Sequence, residues 1–292
     1  MEKEQFNPEN RENKEIITSK IDLRFFRHAE KESVKGKPDE EIELTDMGKK
    51  QAIEKSKDKD ISQSVAFGSP RRRTQETAGF VMAGQLDEIT GNENIKELKE
   101  KLDKELKVGS KIGVDKRLDF QGNFSTEFGK KAAEAFKGGQ YLKFLVEQSD
   151  ELADSFKDKE AETYGRMAGR VAEIVNKYMS IAPRWDALAR DESKNYDDTL
   201  KRFFGTHQGI AESFLAKVIE KTKGTAERDA YVSALNNQGF DYVEGFDVEI
   251  QNFEAKNPDI HITFMKKKDE KTIFAFNEIV PKKIIDDIVV SK

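Results

Sequence analysis

The chain has 292 residues, of which 36% are hydrophobic and 37% are charged, and its formal net charge is −5. This composition is typical of a soluble, heavily solvated protein, and the acidic balance argues against general nucleic-acid binding, which needs a basic face. The absence of cysteine excludes disulfides, thiol catalysis and cysteine metal sites. No segment approaches the roughly 20 apolar residues that span a membrane, and the N-terminus lacks a signal-peptide pattern. We therefore expect a cytoplasmic protein that binds neither membranes nor nucleic acids.

The N-terminal part of the chain predicts a polar tail followed by a first strand. Residues 1–19 are polar and predict a flexible tail, and residues 20–292 predict one domain. The first predicted strand, residues 21–26, ends in a loop that begins with Arg27 and His28. Thr45 is a favoured N-cap residue, so a helix is expected to begin there.

Two later apolar stretches also end in polar motifs. Residues 65–67 predict a short strand before Ser69 and Pro70, which are favoured as the cap and first residue of a helix. Residues 200–204 predict another strand, which leads to His207. Ligands of open α/β sheets bind at the carboxyl ends of strands, so the three strand ends are expected to converge on one pocket. Its histidines and arginines would suit a phosphate ester.

The remaining sequence predicts mainly helices, followed by strands near the end. From about residue 85 to 158 the pattern is charged and mostly helical, and a clearer helix that follows is expected to stop near Pro183. After His207, residues 210–219 predict a helix. Residues 246–253, 260–265 and 272–276 alternate like strands. We expect residues 84–199 to form a helical insertion.

Four short motifs occur in the order RHAEK (residues 27–31), LTDMGKKQA (44–52), SPRRRTQETA (69–78) and THQG (206–209). Together they resemble the motifs of the histidine phosphatase superfamily, which also contains the cofactor-dependent phosphoglycerate mutases. The resemblance covers about the first 80 residues and a stretch near residues 200–215. It implies an α/β fold: a three-layer α/β/α sandwich with a mostly parallel sheet and a helical cap insertion.

The resemblance also implies roles for individual residues. His28 would accept the phosphoryl group transiently, and His207 would stabilise that group during transfer. Arg27 and Arg73 would bind its oxygens and keep the imidazole of His28 neutral by lowering its pKa; only the neutral ring can attack phosphorus. The imidazoles and guanidiniums supply both the nucleophile and the groups that stabilise the charge of the phosphoryl oxygens. We therefore expect no metal ion and no other cofactor. The expected ligand is a small phosphorylated substrate.

The two arginines that precede Arg73 receive a different prediction. The family motif places the binding arginine third after the proline, which here is Arg73. Only one position at a helix start can point back toward the phosphate. Arg71 and Arg72 are therefore expected to contact solvent or a distal part of the substrate. The third histidine, His261, lies in an alternating strand pattern and is expected to be a half-exposed sheet residue.

The general acid is the least determined residue. The leaving alkoxide needs a proton, and family members commonly carry the acid in a stretch resembling Asp-x-Arg-Leu-x-Glu. Residues 115–120, DKRLDF, match this stretch in part, with Phe120 in the glutamate position. Asp119, one position earlier, is the candidate acid, and Asp115 and Glu127 are the alternatives. A capping or surface role for Asp119 remains equally open.

A comparison of the first motif with the mutases favours hydrolysis. The mutases of this family usually continue after the histidine as Gly-Glu-Ser-x-x-Asn, whereas residues 29–34 here are AEKESV, with Val34 in place of the substrate-holding asparagine. We therefore expect a metal-independent phosphomonoesterase with a phosphohistidine intermediate on His28. The alternatives are a catalytically idle phospho-ligand binding or interaction protein of the same fold, and a phosphoglycerate mutase-like phosphotransferase. Neither the physiological substrate nor the oligomeric state follows from the sequence.

Overall fold

The computed structural model describes residues 19–104, 110–191, 193–194, 196–251, 253 and 258–290. The strands are β1 (Lys20–Arg27), β2 (Ser64–Gly68), β3 (Ile112–Val114), β4 (Thr199–Thr206), β5 (Gly245–Gln251), β6 (Asp259–Lys268) and β7 (Lys271–Val280). The helices are α1 (Asp46–Glu54), α2 (Arg72–Ala83), α3 (Ile95–Lys104), α4 (Glu127–Lys137), α5 (Tyr141–Phe144), α6 (Asp150–Phe156), α7 (Tyr164–Ala189), α8 (Ile210–Lys223), α9 (Thr225–Ala234) and α10 (Lys282–Val290). The predicted tail lies outside the described residues, except for Ser19.

The strands of these residues form one mixed sheet in the order β3-β2-β4-β1-β5-β6-β7. The first four strands in that order are mutually parallel, and β5, β6 and β7 continue the sheet in antiparallel fashion. Arg27 at the end of β1 pairs with Thr206 at the end of β4, and Gly68 at the end of β2 pairs with Gly205. The carboxyl ends of β1, β2 and β4 therefore lie side by side at one edge of the sheet.

Neighbouring phenylalanines supply apolar side chains to both faces of this sheet. Successive strand residues point to opposite faces, so Phe25 and Phe204 join one buried cluster while Phe26 and Phe203 join the other. The first cluster is completed by helices that include α7, α8 and α10, and the second by α1, α2 and α3. The predicted three-layer α/β/α sandwich with a mostly parallel core is confirmed. Among the described residues, no helix combines the length and the apolar character needed to cross a bilayer.

Residues 84–199 do not form a separate helical insertion as predicted. This range also contributes a strand and a long helix to the sandwich. β3 extends the parallel part of the sheet next to β2. The long helix α7 packs against β1, α8 and α10. The shorter helix α4 packs on α5 and α6, and the π-helical turn Leu145–Ser149, which joins α5 to α6, contacts α4, α7 and α8. β3 escaped the sequence analysis because it is only three residues long.

Two predicted helix boundaries are also wrong. α7 does not stop near Pro183 but continues to Ala189. Burial of Ala182 and Trp185 in the core offsets the hydrogen bond that proline removes. α2 begins at Arg72 rather than at Pro70, since the hydroxyl of Ser69 accepts a hydrogen bond from Arg71 N (3.2 Å) instead of capping the helix. By contrast, Thr45 caps α1 as predicted, with its hydroxyl accepting from Gly48 N at 2.9 Å.

Close packing between α2 and β4 depends on Gly205. A Cβ atom at this position would overlap the carbonyl oxygen of Thr74 in α2. We predict that Gly205→Ala lowers the free energy of unfolding by about 1–3 kcal/mol, the usual cost of overpacking. Urea denaturation measures this loss. Gly138→Ala, at the C-cap of α4 where the nearest atom to a Cβ lies at 3.3 Å, is the control and should change stability by only about 0.5 kcal/mol or less. Equal midpoints for Gly205→Ala and the wild type would disprove the close contact.

Candidate active site

β1 delivers His28 to the edge of the sheet where the parallel strands end. Its backbone N–H donates to Thr206 O at 2.9 Å, which extends the pairing of β1 with β4 by one residue. The side chain is buried, and Nδ1 lies 2.7 Å from Ala29 O. A carbonyl oxygen only accepts hydrogen bonds, so this contact assigns the proton to Nδ1. Nε2 of the neutral ring is left with a free lone pair.

The surroundings of His28 keep its ring neutral. Burial is the largest effect that lowers the pKa of His28, and His207, Arg73 and Arg27 lower it further. The hydrogen bond to Ala29 O opposes these effects without outweighing them. The pKa of His28 therefore lies well below its ordinary value of 6.5, and the imidazole is unprotonated at neutral pH.

His207 follows β4 directly and faces His28. The two ring centroids are 5.5 Å apart in an edge-to-face arrangement. His207 Nε2 lies 2.9 Å from the hydroxyl oxygen of Ser69, the first residue after β2. Burial lowers the pKa of His207 to about 4; Asp119 opposes this shift, while Arg73 and Arg71 reinforce it. Residues that follow β1, β2 and β4 thus meet in one buried cluster.

The arginines of the first and third motifs border this cluster. Arg27 Nη1 donates to Phe240 O at 2.6 Å, and its guanidinium stacks on the ring of Tyr242 at 4.7 Å from the centroid. Arg73 donates to both carboxylate oxygens of Asp39, from Nη1 and Nη2, at 3.0 Å each. Burial and the neighbouring Arg71 lower the pKa of Arg73 to about 10, so it stays charged at neutral pH. The Nε–H groups of Arg27 and Arg73 are buried and find no partner within the described residues.

Asp119, but neither alternative acid, contacts a catalytic candidate. Its Oδ1 lies 2.7 Å from Arg71 Nε and 3.5 Å from His207 Nε2. Asp115 instead caps the turn after β3 and is paired with Arg117 at 2.6 Å. Glu127 is exposed on α4, where it pairs with Lys130 at 2.6 Å.

Asp119 is strongly ionised in this environment. Burial raises its pKa, but the contacts with His207 and Arg71 outweigh burial and lower the pKa to about 2. Both contacts favour the ionised carboxylate, and Arg71 supplies the shorter of the two. Without ligand, Asp119 holds no proton to donate.

Arg71 does not face solvent, which was one of the two predicted alternatives, while contact with a distal part of the substrate stays a prediction. Its side chain is only 17% exposed. Besides Asp119, it donates from Nη2 to Phe120 O at 2.9 Å, and Nη1 contacts the carboxylate of Asp39. The late start of α2 explains the difference, because Arg71 is the extended N-cap residue rather than part of the first turn. Arg72 is 43% exposed and pairs with Glu43, as expected for a solvent-facing arginine.

A buried carboxyl group that the sequence analysis missed binds the backbone of two loops next to the site. Glu212 in the first turn of α8 accepts hydrogen bonds from Gly209 N and from Phe240 N, both at 2.9 Å. It thereby joins the loop of His207 to the residue whose carbonyl binds Arg27. Burial raises the pKa of Glu212 to about 7. The glutamate three residues after Gly209 is a capping-box signal that could have identified the first of these bonds.

The named side chains give the site a surplus of positive charge. Arg27, Arg71 and Arg73 are joined by Lys31, whose pKa is lowered by burial and by Arg73 and Arg71, which places its ammonium in the same field. The carboxylates of Asp39 and Asp119 balance only part of this charge. Such a site favours a ligand with more than one negative charge, such as a phosphoryl group.

Comparisons with known proteins find similar folds at low sequence identity. A mycobacterial glucosyl-3-phosphoglycerate phosphatase bound to inorganic phosphate shares 14% identity at a TM-score of 0.43, covering 87% of this chain and 99% of its own. A phosphoserine phosphatase from Entamoeba histolytica in complex with 3-phosphoglyceric acid shares 14% sequence identity at a TM-score of 0.40. The match covers 86% of this chain and 98% of the phosphatase. The protein named mycobacterial hydrolase 2 shares 12% sequence identity at a TM-score of 0.42, and the match covers 94% of this chain and 97% of the hydrolase. No protein-family model and no curated protein matches the chain. With identities and TM-scores this low, the function must be inferred from the residues of this chain.

The contact between Arg71 and Asp119 leads to a prediction about ionisation. Arg71→Gln removes the guanidinium that stabilises the carboxylate, so the pKa of Asp119 should rise from about 2 toward or above its ordinary value of 3.8. A carboxyl-carbon NMR titration measures the change. Arg72→Gln, which removes the adjacent exposed guanidinium, should leave the pKa of Asp119 in place. Equal values in the two variants would show that Arg71 does not control the acid.

Proposed function

We propose that the chain is a metal-independent phosphomonoesterase that acts through a phosphohistidine intermediate on His28. The observation that carries this proposal is the bond from His28 Nδ1 to Ala29 O, since it leaves the lone pair on Nε2 of a neutral, buried imidazole. The expected substrate is a small phosphorylated compound. The surplus of positive charge around His28 supports binding of its phosphoryl group.

In the first step, Nε2 of His28 forms a bond to phosphorus while the bond from phosphorus to the leaving oxygen breaks. The imidazole gains positive charge, which the hydrogen bond from Nδ1–H to Ala29 O stabilises. Negative charge develops on the phosphoryl oxygens, and Arg27, Arg73 and His207 are the donors that would stabilise it. Each preorganised donor of this kind is typically worth about a hundredfold in rate.

In the second step, a water molecule attacks the phosphohistidine. The phosphorus–Nε2 bond breaks, inorganic phosphate leaves, and neutral His28 is regenerated. A base must accept the proton of the water, and we assign this role to the carboxylate of Asp119, whose Oδ1 lies 3.5 Å from His207 Nε2. The same group would then act as acid in the first step and as base in the second.

Asp119 must gain a proton before it can act as the acid. Its pKa of about 2 reflects an unliganded site in which Arg71 is bound to it. A phosphoryl dianion would add negative charge nearby and compete for the guanidinium of Arg71, and both effects raise the pKa of a carboxyl group. Substrate binding would therefore prepare Asp119 for proton donation.

The low pKa of Asp119 is also the observation that favours a second candidate function. A protein whose acid stays ionised would bind phospho-ligands without turning over ordinary alkyl esters, as a catalytically idle binding protein. An aryl phosphate with an acidic phenol separates the two, because its leaving group departs without a proton. A mutase-like phosphotransferase is less well supported, since Val34 takes the place of the asparagine that would hold the substrate.

The nucleophile is tested by replacing His28 and, as a control, a histidine that lies outside the site. His28→Ala should abolish hydrolysis of both alkyl and aryl phosphates, measured with EDTA present because no step requires a metal ion. A radiolabelled phosphoryl group on the wild-type protein, stable in base and lost in acid, would identify the phosphohistidine. His261→Ala removes the histidine on β6 outside the site and should retain full activity. Incorporation of label into His28→Ala would place the nucleophile elsewhere.

The acid is tested separately by the choice of leaving group. Asp119→Asn should slow hydrolysis of alkyl phosphates by about a hundredfold or more, the usual scale of general acid catalysis. Hydrolysis of an aryl phosphate should change far less, because its phenolate leaves unassisted. Steady-state assays of one alkyl and one aryl ester measure the two effects. Unchanged turnover of the alkyl ester would remove Asp119 from the mechanism.

A further inference from the structure

A loop between the first two motifs reaches back to the arginines of the site. We call residues 32–43 the strap. Its two ends are joined, because Glu32 N donates to Glu43 O at 2.9 Å and the adjacent Lys31 and Leu44 form an antiparallel bridge. Between these ends the chain is largely exposed. The strap therefore has a fixed base and a largely exposed tip.

The tip of the strap is held by Asp39. Its carboxylate accepts from Nη1 and Nη2 of Arg73 at 3.0 Å each and contacts Nη1 of Arg71. Its carbonyl oxygen accepts from Nη1 of Arg73 at 2.8 Å. The side chain of Asp39 is nevertheless 43% exposed, so solutes can reach this contact.

A phosphoryl group would compete with Asp39 for the same donors. Carboxylate and phosphate oxygens are both bidentate acceptors for a guanidinium, and the Nη1–Nη2 edge of Arg73 that Asp39 occupies can serve only one such group at a time. The Nε–H of Arg73, buried without a partner within the described residues, is a further donor that Asp39 does not use. An incoming dianion has more negative charge to offer than the carboxylate it replaces.

We propose that Asp39 is an internal competitor that occupies the phosphoryl site of the unliganded protein and is displaced, together with the tip of the strap, when a phosphoryl group binds. This regulation rests on the proposed function, because it concerns the same arginines. The backbone bond from Arg73 N to Ile42 O, at 3.2 Å, involves no side chain and keeps the base of the strap in place. Only the tip has to move. Asp39 thus lowers the affinity of the site for substrate and product alike.

Calorimetric titration with inorganic phosphate tests the competition without relying on catalysis. Asp39→Asn removes the charge while keeping the size of the side chain, and we expect the dissociation constant for phosphate to fall about fivefold or more, as expected for loss of a charge-assisted competitor at a partly exposed site. Glu41→Gln is the control: it removes one charge from the same exposed turn, and its effect should stay within about twofold. Unchanged or weaker binding by Asp39→Asn would overturn the proposal and make Asp39 a support for Arg73.

Hydrogen exchange provides a second measurement that a merely structural role would not reproduce. Ligands usually protect the segments they touch, but phosphate should increase deuterium uptake in residues 36–41 of the wild type as the tip is released. In the Asp39→Asn variant, deuterium uptake in residues 36–41 should already be high when phosphate is absent. Protection of this segment by phosphate would contradict the displacement.

The two proposals fail in different ways. If the wild type hydrolyses phosphate esters but Asp39→Asn binds phosphate no more tightly, only the internal competition is excluded. If the wild type shows no turnover but Asp39→Asn gains affinity for phosphate, the competition is supported and the idle binding function replaces catalysis. If neither protein binds phosphate, the site is not a phosphoryl site and both proposals are overturned.

Discussion

The parallel pairing of β1 with β4 is the constraint on which the site depends. The register that pairs Arg27 with Thr206 continues into the bond from His28 N to Thr206 O, so the two histidines leave the sheet at the same level. β2 joins on the other side of β4, and its end brings Ser69 to His207. A shift of one residue in either pairing would turn the side chains to the opposite face of the sheet. The buried phenylalanines on both faces prevent such a shift, so the cores of the sandwich fix the geometry of the site.

Backbone carbonyl groups hold two of the catalytic candidates, His28 and Arg27, in place. Ala29 O sets the tautomer of His28, and Phe240 O fixes one end of Arg27. The backbone N–H of Phe240 is in turn bound by Glu212, whose other oxygen secures the loop after His207. Ala29 and Phe240 lie in loops, but each is tied to a helix by its backbone N–H, which donates to Thr77 of α2 at 3.0 Å and to Glu212 of α8 at 2.9 Å, respectively. Preorganisation of this kind is what allows donors in a buried site to contribute to catalysis.

The sequence predicted well those parts of the site that lie at strand ends. A strand-like stretch precedes three of the motifs, and this pattern identified the edge where His28, Arg73 and His207 meet. What it missed depends on tertiary contacts. The role of Arg71 followed from a helix that starts two residues later than the Ser-Pro pair suggests, and Asp39 lies in an exposed turn with no motif of its own. The passage of α7 through Pro183 was missed for the same reason, because packing against neighbouring elements outweighs local preference, whereas β3 was missed because it has only three residues.

The charges of the site explain why it contains internal anions at all. Several cations gathered in a partly buried space repel one another, and the repulsion would destabilise the fold if nothing balanced it. Asp39 and Asp119 supply that balance in the unliganded protein, at the cost of occupying donors that a phosphoryl group would use. Arg71 contacts both carboxylates, so displacing one anion alters the field at the other. Binding of a dianion would therefore release Asp39 and raise the pKa of Asp119 through the same guanidinium. The balance of charge around the arginines and the pKa of Asp119 thus depend on one set of contacts.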